Sequence, residues 1–337
     1  MRAFAWATLA LVVAGGCAAT PAKAVADTAV AAETVGGVDA TADSAKAVTL
    51  AEHYTLTAQF PEGGAWDSGG QAFYVGSLGN GAVHKVDGAT GTETEIFKET
   101  APGKWWTLGM DVDVARGKLW VCAMDDKAPP PRAGYIWTFD LATGKRLANV
   151  ALSKAAADAT CTDVAVTKDG SGYVVDREQP NVYKIDAADK LELFATGPDL
   201  KGTLAGQNAA VMLPDESALL SVVYLTPKLV RVDLKTKAVK AVQIDGPFTD
   251  DSLLAGADGM AYAAGNVYVA FTSKLVRVVP KSADWAAATA TAVDLTYGQT
   301  DVIATPAGLY LLNGQAVRFA LQQPTDAFGL SKFTGKF

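Results

Sequence analysis

Histidine and cysteine are scarce in this chain, with two of the first and three of the second among 337 residues. His53 precedes the repeated pattern described below and His84 lies in an apolar strand segment. That leaves a His-dyad lactonase or a Ser-His-Asp hydrolase without a base. No Cys-x-x-Cys pair offers a zinc site, and no glycine-rich loop follows a strand and opens a helix to cradle phosphate. Positive charge is also short: 29 Lys and Arg face 36 Asp and Glu, for a formal charge of -7. With a pI near 5.0 there is no basic patch for nucleic acid, and that class of partner is set aside. The N-terminal apolar run Ala3 to Ala14 is too short to span a bilayer.

What the chain has is repetition. Half its residues are apolar, enough for a substantial core. The stretch Phe60 to Val75, FPEGGAWDSGGQAFYV, spells a short apolar run, a Gly/Asp turn and a second apolar run, the pattern of two strands joined by a tight turn. Equivalent stretches begin at Glu62, Leu108, Thr162, Asn208, Asp258 and Thr300, with successive starts 46, 54, 46, 50 and 42 residues apart. A period of that size, with several strands per unit, predicts an all-β, six-bladed β-propeller over residues 48–337. Third strands recur as Ala82 to Asp87, Tyr135 to Asp140, Val182 to Asp186 and Leu229 to Asp233, each closing on an aspartate expected to cap the following turn. The sixth repeat shows a third strand at Gln315 to Leu321 and lacks a fourth. Closing the ring therefore requires the N-terminal strand Tyr54 to Phe60 to pair with the last blade.

Residues 1–17 read as an export signal. Val13-Ala14-Gly15-Gly16-Cys17 resembles a bacterial lipobox, with Cys17 the lipidated residue; cleavage after Ala22-Lys23-Ala24 is the alternative. Residues 18–47, rich in Ala, Thr, Val and Asp and without an aromatic residue, read as a flexible tether. Both features place the expected site of action outside the cytoplasm, either at the cell envelope or as a secreted protein.

In a propeller the innermost strands converge on a central channel, so the six strand-opening residues should form a ring at one mouth. Five of the six carry side-chain oxygen, and two are carboxylates. Such a set suits a hard divalent cation, Ca²⁺ or Mg²⁺; equally, polar residues at strand starts bond nearby backbone and water.

Pro61-Glu62-Gly63-Gly64-Ala65-Trp66-Asp67, followed by Phe73-Tyr74-Val75 and Gly81 to Asp87, resembles the opening blade of the senescence-marker-protein/gluconolactonase-like family of six-bladed propellers. The resemblance implies a divalent cation, Ca²⁺ by expectation, held by Glu62, Asn208 and Asp258, with Asp258 also the general base of a lactone or ester hydrolysis. Thr162 and Thr300 would complete the shell through water and contact substrate. The chain departs from the family in its sugar-recognition set. Thr162 stands for an Asn, Thr160 for a substrate-holding Arg, and Ala209 for the glycine after the ligand Asn.

Cys122 and Cys161 should lie on the channel-mouth side, where they either form a disulfide or remain buried thiols. Trp105 and Trp106 precede blade two on that side and either wall a substrate or pack between blades. The Pro-stiffened loop Asp125 to Gly134 lies on the same side. Three functions follow for what is expected to act as a monomer: a metal-dependent hydrolase of a small molecule, a tethered propeller that binds a protein or ligand without catalysis, and a small-molecule carrier.

Overall fold

The computed structural model describes residues 49–126, 132–203, 205–250 and 255–337. The export signal, Cys17, residues 18–47 and residues 127–131 of the Pro-rich loop lie outside the described residues. The described chain forms six β-sheets in sequence order around a channel, a six-bladed propeller. Blade one is Gly64–Asp67, Ala72–Val75, Ala82–Asp87 and Glu93–Lys98. The innermost strands of blades two to six are Trp105–Asp113, Asp163–Val166, Gln207–Met212, Ala257–Ala263 and Gln299–Thr305. Blade five carries an additional short strand, Gln243–Asp245, parallel to its outermost strand Ala287–Asp294.

The second strand of each blade explains the long apolar runs. In Ala218–Val223 every residue is buried, because alternate side chains enter different interfaces. Leu219 packs with blade three and Leu220 with blade five. In the same way Phe73 faces blade six and Tyr74 faces blade two. Six apolar clusters result, each joining two neighbouring blades. The third-strand aspartates cap turns as expected: Asp87 accepts from the Ala89 and Thr90 N–H groups at 3.0 and 2.8 Å, and Asp233 from Lys235 and Thr236 at 3.1 and 2.7 Å.

Ring closure follows the expected plan with two shifts. The N-terminal strand is His53–Leu56, paired with Phe328–Lys332 so that Tyr54 meets Leu330. Phe60 lies beyond it, with φ at +51°, and its ring packs on Phe319 and Phe328 at 4.9 and 5.1 Å. The expected third strand at Gln315 to Leu321 is instead a helix, Ala316–Leu321. Ala316 and Phe319, three residues apart, pack on one apolar cluster, the spacing of a helical turn, while the Val317 and Phe319 alternation is what reads as strand. The third strand is supplied by Phe328–Lys332, where a Cβ on Gly329 would stand 2.6 Å from His53 Cε1. Tyr54 then locks the closing strand to blade one, its hydroxyl donating to the Gly88 carbonyl at 2.7 Å.

Cys122, in the second strand of blade two, is disulfide-bonded to Cys161, just before the first strand of blade three, with Cα atoms 5.3 Å apart.

Candidate functional site

The inner strand of each blade is a sheet edge facing the channel, and in four blades it carries a β-bulge at its start. Pairing shifts between Thr107 and Met110, Gln207 and Ala209, Ala257 and Gly259, and Gln299 and Asp301. The residue left out of the ladder is re-aimed. In blades four, five and six that residue is Asn208, Asp258 and Thr300. Glu62 occupies the equivalent place just before blade one, and all four are buried.

Glu62, Asn208 and Asp258, distant along the chain, form one electrostatic unit. The Asn208 amide Nδ2 donates to Asp258 Oδ1 at 2.5 Å and to the Asp258 carbonyl at 3.2 Å. Its Oδ1 accepts from Arg177 Nη1 at 3.2 Å. Burial pushes the Asp258 carboxyl up to about 7, against the opposing pull of Arg177 and the Asn208 bond. Burial first, and then the charges of Asp258 and Asp301, raise Glu62 well above the ordinary carboxylate range, with Arg177 opposing. Two acids held together away from water favour either a shared proton or a bound cation.

Among the described residues no three His, Cys, Asp or Glu side chains group as metal ligands. A cation here would draw on two carboxylates and one amide. That donor set is all hard oxygen, and a positive charge would relieve the burial of both acids, so the residues fit a divalent cation. The amide oxygen now faces Arg177, so contributing it to such a cation requires the amide to turn over.

The two threonines serve the scaffold. Thr162 Oγ1 lies 3.2 Å from the carbonyls of Val175 and Gln207, and Thr300 Oγ1 lies 3.1 and 3.2 Å from those of Pro61 and Leu312. Each hydroxyl thus ties its blade to the next one round the ring. Leu108 fills the remaining ring position with an apolar group that belongs to the interface of blades two and three.

Trp105 and Trp106 do not form one wall. They are consecutive residues of a strand and point to opposite faces. Trp105 packs on Tyr135 and Trp137, both at 5.4 Å, and its Nε1 donates to the Ala101 carbonyl at 3.0 Å. Trp106 meets Phe319 at 6.1 Å, with Lys104 and Arg132 over its ring at 5.0 and 5.5 Å.

The structure adds residues that the strand-opening pattern missed. Arg177 follows the second strand of blade three and Tyr224 the second strand of blade four. Antiparallel return brings such positions back to the mouth, so aligning second-strand ends would have found them. The guanidinium carbon of Arg177 lies 5.0 Å from the centre of the Tyr224 ring. Deeper in, Asp111, Asp163 and Asp301 accept the N–H groups of Val166, Ala210 and Gly64 on the next blade, each at 2.8 Å. They satisfy donors that the channel-facing sheet edges would otherwise leave unpaired. Burial raises all three, Asp111 to about 6 and Asp163 to about 8. They line a cavity of about 290 Å³ together with Trp66, Met110 and Tyr262.

No protein-family model and no curated protein matches the sequence. Solved structures do. The allergen Mala s 1 of Malassezia sympodialis superposes with a TM-score of 0.64 at 16% identity, covering 84% of this chain and 96% of the allergen. A gluconolactonase from Xanthomonas campestris gives 0.56 at 15% identity, covering 82% of this chain and 86% of the enzyme. A luciferin-regenerating enzyme gives 0.56 at 13% identity, covering 84% and 96%. At these identities the likeness establishes the fold: the chain is a six-bladed propeller of the architecture that a gluconolactonase and a luciferin-regenerating enzyme also have, consistent with the family resemblance of its motifs.

Proposed function

We propose that this chain is an exported hydrolase of a lactone or ester, with its active site at the channel mouth around Glu62, Asn208 and Asp258. The observation that carries the reading is the pairing of two buried carboxyl groups, both raised, beside an amide bonded to one of them at 2.5 Å. The likeness to a gluconolactonase supports the reaction class. A divalent cation, Ca²⁺ by preference, held by Glu62, Asp258 and the Asn208 amide oxygen would supply polarisation of the acyl oxygen.

The chain's own groups supply proton transfer. Asp258, its carboxyl raised to about 7, is suited to take a proton from water as the water oxygen bonds to the acyl carbon. It then returns that proton to the alkoxide as the acyl C–O bond breaks. Without a cation the Asn208 amide holds this carboxylate through its 2.5 Å bond, a bond given up when the amide oxygen turns to the cation. Export by the signal of residues 1–17, with lipidation at Cys17 and a tether over residues 18–47, belongs to the same proposal. The Cys122–Cys161 disulfide suits an oxidising compartment.

Assaying simple lactones and aryl esters with added Ca²⁺ tests the reading. Asp258→Asn should lower kcat by about 100-fold or more, the usual worth of a general base. Undiminished turnover by that variant would exclude the assignment. A second reading, a ligand-binding propeller without catalysis, is favoured by the commitment of the Thr162 and Thr300 hydroxyls to backbone carbonyls. It predicts ligand binding with no turnover on any of those substrates.

A further inference from the structure

We propose that the helix Ala316–Leu321 is a positioning element for Glu62: its Phe319, with Phe328, clamps the ring of Phe60 and thereby holds the backbone turn from which Glu62 enters the channel mouth. Resting on the reading of Glu62 as a cation ligand, this assigns a role to a segment that the repeat pattern leaves without one.

Glu62 needs such a support because its blade lacks the device that the others use. Asn208, Asp258 and Thr300 are turned out of their ladders by β-bulges, whereas the strand Gly64–Asp67 pairs with Ala72–Val75 without a shift of register. What turns the chain ahead of Glu62 is Phe60, whose φ is +51°. Neither its side chain nor its place favours that conformation. A bulky residue at positive φ is an outlier, and a residue before proline prefers extended backbone. Such a turn persists only where its surroundings hold it, and backbone outliers of this sort gather at functional sites.

The surroundings of Phe60 hold it from several sides. Its ring lies 4.9 Å from that of Phe319 and 5.1 Å from that of Phe328. Phe319 in turn meets Trp106 at 6.1 Å, which braces it from blade two. Backbone bonds fix the residues around the turn: Leu78 N–H donates to the Phe60 carbonyl at 3.0 Å and Gly79 N–H to the Gln59 carbonyl at 3.1 Å, while Thr300 Oγ1 lies 3.1 Å from the Pro61 carbonyl. Blade six comes so close there that a Cβ on Gly314 would stand 1.5 Å from the Pro61 carbonyl oxygen.

The helix is anchored in its own right. Gln315, buried and with φ at +57°, opens it. The Gln315 Oε1 accepts from Arg318 Nη1 at 3.1 Å and from the Asp326 N–H at 3.0 Å, and its Nε2 donates to the Asp326 carbonyl at 3.2 Å. These bonds close the segment between the second and third strands of blade six into a bracket, so that Phe319 reaches Phe60 from its helix and Phe328 from its exit.

The test is isothermal titration of Ca²⁺ into the chelator-treated full chain, with Tm measured alongside to show that each variant is folded. Phe319→Ala should weaken Ca²⁺ binding about tenfold, and the same substitution added to Glu62→Gln should weaken it no further, since the clamp acts through Glu62 alone. Phe319→Leu should restore part of the affinity. Phe60→Gly and Phe60→Ala remove the same ring, but glycine takes positive φ freely and should bind Ca²⁺ several-fold more tightly than the alanine variant. Unchanged affinity in folded Phe319→Ala, an equal further loss in the double variant, or equal affinities of Phe60→Gly and Phe60→Ala overturns the positioning role while leaving the cation site standing. Absence of Ca²⁺ binding by wild type overturns the cation site and the clamp's role with it.

Discussion

Replacing Asp163 with asparagine should be close to neutral for stability at pH 5 and stabilising at pH 8. Asp163 accepts the N–H groups of Val164 and Ala210, both at 2.8 Å, yet burial carries its carboxyl to about 8. An unfolded aspartate loses its proton near 3.9. Between those values the folded state keeps a proton that the unfolded state has released, so stability is fullest below about pH 4 and falls as pH rises toward 8. The slope from one such group is at most about 1.4 kcal/mol per pH unit, giving an upper bound of roughly 6 kcal/mol across the window. The substituted amide cannot ionise and can still accept one of the two N–H groups. Urea unfolding at pH 5, 6, 7 and 8 with the disulfide intact measures the difference. Asp163→Asn should match wild type within about 1 kcal/mol at pH 5, where the weakened acceptor offsets the linkage loss of wild type, and be more stable by several kcal/mol at pH 8. Parallel pH profiles for the two proteins would refute the placement of a proton on Asp163 in the folded channel.

Other consequences follow from the packing. Removing the Cys122–Cys161 bridge by Cys161→Ala should lower unfolding free energy by about 2–4 kcal/mol, since it closes a loop with a sequence separation of 39, and denaturant titration reads this directly. Gly63→Ala should destabilise by about 1–3 kcal/mol, because its Cβ would stand 2.5 Å from the Gly109 Cα and 2.6 Å from the Leu108 carbonyl oxygen, backbone atoms of the next blade. An unchanged denaturation midpoint would contradict that close approach. Tyr54→Phe removes the hydroxyl that donates to Gly88 and accepts from the Ala51 N–H, and should cost about 1–2 kcal/mol. The same variant should speed amide exchange along His53–Leu56 if that strand closes the ring.

The architecture was readable because each second strand serves two interfaces and so announces itself as an unbroken apolar run, six times over. Ring positions were readable by the same alignment, which set Glu62, Asn208 and Asp258 at equivalent places from the repeat spacing and motifs alone. Gln315 to Leu321 was not readable as a helix, since a seven-residue segment with apolar residues at both two- and three-residue spacings fits either periodicity and only the packing of Phe319 on Phe60 decides between them. The threonines illustrate a different limit: a hydroxyl at a strand start reaches either the channel or the neighbouring blade's carbonyl, and composition does not say which. Arg177 escaped notice because it lies past the end of a second strand rather than at the opening of a first one. The separation of Trp105 from Trp106, by contrast, follows from strand alternation and needed no structure.

Isothermal titration of Ca²⁺ into chelator-treated protein tests most directly whether the blade-initial acids meet at one end of the channel to hold a cation. The account predicts one site per chain in wild type, with affinity reduced at least about tenfold in Glu62→Gln and in Asp258→Asn, each of which removes a charged oxygen donor. Absence of binding heat in wild type, or binding that neither substitution alters, would contradict it.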